Sequence, residues 1–219
     1  MKNNKNYIFS GVCFALFVVL IIMLKTVDVA AIGPENTSVG FAMVNGGFHE
    51  VFGYNSLWYN ITKVLGIVSI LTAFFFALFF IWQTAQRKDV KKVDKELTAL
   101  MALYVLVAGL YVFFEKIIIN YRPVIMAGDE HVEASFPSTH TMLSCVIMGS
   151  AMMILGKYVK NETVRKVLLV VCNVVMLVTV VGRLISGVHW FTDVLGGVLI
   201  SVCLLSLFAT AAGYRGKNK

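Results

Sequence analysis

Six stretches without a single Asp, Glu, Lys, Arg or His constrain this chain more than any other feature: residues 7–24, 64–82, 97–114, 141–156, 167–182 and 194–213. In hydrocarbon every backbone N–H and C=O must be bonded within the protein, so uncharged runs of 16 to 20 residues without strand alternation are read as helices. The expected fold is therefore all-α. It is a polytopic membrane protein, a six-transmembrane-helix bundle forming a single membrane-embedded domain over residues 1–219. The fourth and fifth runs are short, and flanking polar residues are expected to complete their end turns at headgroup level.

Composition matters here for what it excludes. With 58% hydrophobic and 14% charged residues, the chain is far more apolar than a soluble domain. Its net charge of +7 comes with no basic stripe on a polar scaffold, so nucleic acid is not an expected partner, whereas the lipid bilayer is. The positive charge instead orients the chain, because Lys and Arg in short loops are retained on the cytoplasmic side. With the N-terminus inside, 14 of the 19 basic residues fall on one face: Lys2, Lys5, Arg87, Lys88, Lys91, Lys92, Lys95, Lys157, Lys160, Arg165, Lys166, Arg215, Lys217 and Lys219. Both termini are accordingly expected in the cytoplasm. Only Lys25, Lys63, Lys116, Arg122 and Arg183 fall outside.

The first run, though preceded by Lys2 and Lys5 and followed by small residues at 29–31, is long for a cleaved signal peptide and is read as a retained helix. Residues 25–63 read as a long connector along the outer interface, with Phe41, Phe48, Phe52, Trp58 and Tyr59 as aromatic anchors. Cys13, Cys145, Cys172 and Cys203 lie within apolar runs with no paired spacing, which indicates neither disulfides nor a zinc site.

Three segments on the expected outer face carry chemistry. Lys116 is followed by Arg122 and Pro123; Pro137, Ser138, Thr139 and His140 open the fourth run; Gly182 and Arg183 precede His189 and Asp193. Taken singly, each has an ordinary reading. Interfacial cations snorkel to headgroups, a Ser before a helix caps it, and a His and Asp four apart are often a surface pair. Together they suit phosphoryl chemistry, since Lys and Arg neutralise phosphate oxygens and helix N-terminal amides add positive potential. His189 and Asp193, at i and i+4 on a helix, would form an orienter and nucleophile pair. His140 is then left as the general acid.

These residues resemble the type 2 phosphatidic acid phosphatase superfamily, with its three-part signature KxxxxxxRP, PSGH and SRxxxxxHxxxD. The resemblance implies His189 as the nucleophile, Asp193 as its partner and His140 as the acid. It implies a phosphate cradle of Lys116, Arg122, Ser138, Thr139 and Arg183, with no metal or other cofactor. Three departures are visible: five residues instead of six separate Lys116 from Arg122, Thr139 stands for Gly, and Gly182 stands for Ser.

The expected activity is metal-independent hydrolysis of a lipid phosphate or lipid pyrophosphate through a phosphohistidine, on the extracellular side of a bacterial plasma membrane. Undecaprenyl pyrophosphate, phosphatidylglycerol phosphate and phosphatidate are the substrate classes the resemblance suggests. A lipid-linked phosphotransferase is the alternative within enzymology. An anion transporter is disfavoured because the charges lie at helix ends and the halves show no inverted repeat with broken helices.

Overall fold

The structure is a computed structural model that describes residues 2–213, with side chains from residue 6. The cationic side chains of Lys2, Lys5, Arg215, Lys217 and Lys219, used in the charge count, lie outside the described residues.

Seven α-helices make up the described chain: α1 (Lys2–Thr26), α2 (Ala42–Phe52), α3 (Ser56–Arg87), α4 (Lys95–Lys116), α5 (Thr139–Tyr158), α6 (Glu162–Ile185) and α7 (Phe191–Ala211). All except α2 are long and apolar enough to cross a membrane, as the six uncharged runs predict. The helices overrun those runs at most ends, because capping and interfacial residues extend them. Asn55 caps α3, accepting a hydrogen bond at Oδ1 from the N–H of Trp58, and Asn161 does the same for α6 through Val164.

Helix α5 is the centre of the bundle and packs on α3, α6 and α7, while α1 lies along α7. Its Met142, Val146, Ile147, Met148 and Ala151 are buried in the main apolar cluster with Leu100, Phe114 and Leu204. A polar rung crosses this core: Ser144 on α5 hydrogen-bonds Ser69 on α3 at 2.8 Å and Thr179 on α6 at 3.2 Å. All four cysteines are free and buried, as small apolar residues would be.

The two ends of the bundle differ in character. At one, Asp94 accepts hydrogen bonds from Gln83, Arg87 and Tyr158, and Lys157 pairs with Asp94 and Glu96. The N-terminal part of α1 meets the C-terminal part of α7 at this same end, through Ser206 and the carbonyl of Asn6. The opposite end gathers the start of α3, α5 and α7 with the end of α1, α4 and α6, and Lys25 there donates to the carbonyl of Ile119.

The stretch expected as a connector holds α2 and the first two turns of α3. Its Asn45 is buried, donating from Nδ2 to Thr192 Oγ1 at 3.0 Å and accepting at Oδ1 from the Thr192 N–H at 3.2 Å. Phe48 stacks on Phe191 at 4.6 Å between centroids. Helix α2 is thus a clamp on the first turn of α7.

Candidate active site

The loop between α4 and α5 doubles back on itself. Arg122 N–H donates to the carbonyl of Glu133, and Ser135 N–H donates to that of Asn120, which pairs the two stretches antiparallel around Tyr121 and Ala134. The Tyr121 carbonyl also accepts from the indole N–H of Trp190 at 2.7 Å, and the Ser138 N–H donates to the carbonyl of Asp193. These bonds seat the Arg122 and Ser135 segments on the start of α7.

His189 and Asp193 come together, but not as neighbours on one helix. Helix α7 begins at Phe191 with Trp190 as its N-cap, so His189 lies before the helix while Asp193 lies in its first turn. There the Asp193 carboxylate accepts the Trp190 N–H at 2.9 Å. Its Oδ2 is 3.9 Å from His189 Nδ1, too far for a direct hydrogen bond. Ser135 fills the interval. Its hydroxyl is 3.0 Å from His189 Nδ1 and donates a short hydrogen bond to Asp193 Oδ2, while Asn120 donates to Oδ1 at 3.3 Å. Because the Ser135 proton goes to the carboxylate, its oxygen accepts from His189 Nδ1–H, which leaves Nε2 as the nitrogen with a free lone pair. Burial first, and then the charges of Arg183 and Arg122, push His189 well below the usual imidazole value, so the ring is neutral at neutral pH.

Arg183, at the end of α6, is 2% exposed, and its Nε and Nη2 have no hydrogen-bond partner. Its guanidinium carbon lies 5.4 Å from the centroid of the Tyr59 ring on α3. Arg122 pairs through Nη1 with Glu133 at 3.0 Å but leaves its buried Nε unpartnered. The charges of both arginines, and the ring of His189, act on His140 in the first turn of α5. Both arginines thus hold buried guanidinium donors without a protein partner, which an anion could satisfy.

The remaining expected residues fall as follows. Ser138 is the N-cap position of α5 but makes no side-chain cap bond; it is fully buried and its hydroxyl accepts from Thr141. Thr139 lines a narrow cleft with Glu115, Arg122, Ser135 and His189. Lys116 does not line it and is exposed at the end of α4. Its neighbour Glu115 occupies the place on the cleft wall.

Glycines set the close approaches. A Cβ on Gly66 of α3 would lie 2.7 Å from Cδ2 of His140, and one on Gly182 would lie 2.5 Å from Cγ2 of Thr62. Gly187 has φ +66, and a Cβ there would lie 1.7 Å from the carbonyl oxygen of Gly53, so only glycine fits. Ser135, Asn120, Asn45 and Gly66 were not singled out from the sequence, since none belongs to a spaced motif.

A membrane helix bundle whose end holds a bridged His–Ser–Asp array beside two arginines with unpartnered donors is suited to an anionic ligand. The comparisons narrow that reading. Residues 113–217 match the model of the PAP2 superfamily. The fold is similar to that of the transmembrane PAP2 type phosphatidylglycerolphosphate phosphatase from Bacillus subtilis, with a TM-score of 0.65 over 91% of this chain and 93% of that one. At 15% identity this is a likeness of fold. No curated protein matches the sequence.

Proposed function

We propose that the protein is a membrane phosphatase that hydrolyses a lipid phosphate or lipid pyrophosphate through a phosphohistidine on His189. The observation that carries this reading is the pair of arginines with buried, unpartnered donors, Nε and Nη2 of Arg183 and Nε of Arg122, whose charges act on a neutral histidine. An unmet buried donor costs about 1–3 kcal/mol, more when charged. A phosphate dianion satisfies both groups and offsets their mutual repulsion.

In the first step Nε2 of His189 attacks phosphorus, the bond from phosphorus to the leaving oxygen breaks, and His140 gives that oxygen a proton. The developing imidazolium is held by donating from Nδ1–H to Ser135, whose own hydroxyl donates to Asp193. Water then attacks phosphorus, its proton passes to His140, and the N–P bond breaks to release inorganic phosphate. Arg122 and Arg183 carry the charge on the equatorial oxygens, and acid catalysis by His140 contributes roughly 10²- to 10⁴-fold. Ser138 and Thr139 complete the cradle at the start of α5.

The Lys and Arg bias supports a site on the non-cytoplasmic side with both termini inside. Undecaprenyl pyrophosphate, phosphatidylglycerol phosphate and phosphatidate are the candidate substrates, the second being the class named for the Bacillus subtilis protein. The test is phosphate release in detergent, with chelator, by wild type and His189→Ala on all three. Release by wild type alone is expected. Undiminished release by His189→Ala removes His189 as nucleophile, and no release from any substrate by wild type removes the phosphatase reading.

A further inference from the structure

The signature places a lysine at Lys116, yet Lys116 is exposed at the end of α4 and does not line the cleft beside His189. Lys63 takes a different position. At 100° per residue, Tyr59, Thr62, Lys63 and Gly66 fall within an arc of about 100° on α3. Three of the four already touch the site: Tyr59 lies against Arg183, Thr62 against Gly182, and Gly66 against His140. Lys63 therefore rises from the face of α3 that packs on the site. Its side chain is exposed and makes no ion pair among the described residues, so its charge is not spent on the fold.

Gly66, three residues on from Lys63 along the same face of α3, packs against His140, and the charge of Lys63 acts on that ring. Lys63 therefore stands on the side of the proton donor, which in the phosphatase reading is where the leaving group departs. The transferred phosphoryl group already has Arg122 and Arg183.

We propose that Lys63 binds a second phosphate carried by the leaving group, so that the protein prefers lipids whose leaving group stays anionic over lipids that leave as a neutral alcohol. Diphosphates, which leave as a monophosphate, and phosphomonoesters that also carry a phosphodiester belong to the first kind. Phosphatidate and prenyl monophosphates belong to the second. This rests on the phosphatase reading above, with His140 at the leaving oxygen.

A matched pair with one tail isolates the effect: farnesyl diphosphate and farnesyl monophosphate, given to full-length wild type, Lys63→Gln, Lys63→Arg and Lys116→Gln in detergent. Melting temperatures report folding. In Lys63→Gln the ratio of kcat/KM for diphosphate over monophosphate is expected to fall about 5- to 10-fold, within the range for one charged contact. Lys63→Arg should keep most of the preference, and Lys116→Gln should not change the ratio. An unchanged ratio in Lys63→Gln, whether both rates fall together or neither does, overturns the assignment, as does a fall confined to Lys116→Gln. If wild type releases phosphate from neither substrate, the phosphatase reading fails and takes this inference with it.

Discussion

The hydroxyl of Ser135 lies 3.0 Å from Nδ1 of His189 and donates a hydrogen bond to Asp193, standing in the place of a direct His189–Asp193 bond. Removing it in Ser135→Ala leaves the 3.9 Å gap unbridged and Nδ1–H without its acceptor. At about 1–3 kcal/mol for an unmet buried group, kcat should fall roughly 5- to 100-fold. Steady-state kinetics on any turned-over lipid phosphate read this directly. Full activity in Ser135→Ala would show that Asp193 orients the ring unaided.

Gly66 gives His140 its seat. Gly66→Ala puts a methyl 2.7 Å from Cδ2 of the ring, so the imidazole must move. The expected loss is in kcat, of roughly 10-fold or more, with a change in melting temperature smaller than that of a core truncation. Equal activity in wild type and variant would place the acid elsewhere.

Gly182 stands where the signature has serine, and restoring the signature residue should do harm. In Gly182→Ser the new Cβ meets Thr62 Cγ2 at 2.5 Å and the Trp58 ring at 3.1 Å. Overpacking of this kind costs about 1–3 kcal/mol. The companion change Thr62→Ser removes Cγ2 but keeps the hydroxyl, so the double variant should melt closer to wild type than Gly182→Ser alone. Failure of that rescue would locate the strain at Trp58.

His189 ties stability to pH. Its folded value lies well below the usual 6.5, because of burial and then of Arg183 and Arg122. Between the two values the unfolded chain holds a proton that the folded chain refuses, so stability falls as pH drops below about 6.5. The same shift keeps His189, the proposed nucleophile, neutral, so the acid limb of kcat/KM assigned to it should lie well below 6.5. Melting curves between about pH 5 and 7 should show a smaller decline for His189→Gln than for wild type. Parallel declines would mean that other groups dominate.

Asp94 works in the opposite sense at the far end of the bundle. Partial burial raises its carboxyl, but hydrogen bonds from Gln83, Tyr158 and Arg87, with the charge of Lys157, outweigh this and hold it at about 2. A depressed carboxyl stabilises the fold above its unfolded value near 4, and that contribution disappears as pH falls towards about 2. Asp94→Asn should therefore melt below wild type at neutral pH, and the gap should close on acidification through this window. A gap independent of pH would assign the effect to packing.

The six spans were legible because lipid burial writes itself as absence of charge, and an absence needs no tertiary information to read. The spacing of His189 and Asp193 was legible as well, though its reason was not: Trp190 ends the irregular segment and starts α7, so the pair is joined across a cap. Ser135 left no trace, as a serine in a polar loop whose role exists only once Arg122 pairs with Glu133 and Ser135 with Asn120. Helix α2 was hidden for a similar reason. Residues 25–63 read as a connector, and within it the glycine-containing α2 is held by Asn45 and Phe48 against α7. Lys63 was counted with the connector because its uncharged run begins one residue later, whereas α3 begins at Ser56.

The helices of this bundle have very unequal lengths. Helix α3, with 32 residues, is about 48 Å long, while α5, with 20, is about 30 Å, close to the hydrocarbon thickness of an ordinary bilayer. A long helix absorbs a thicker membrane by leaning; one that only just spans has no turns to give. The two helices with least slack are α5, which begins at Thr139 and carries His140, and α7, which begins at Phe191 and carries Asp193. In a thicker bilayer hydrocarbon would therefore close over the starts of α5 and α7, where His140 and Asp193 lie, while α3 still had length to spare.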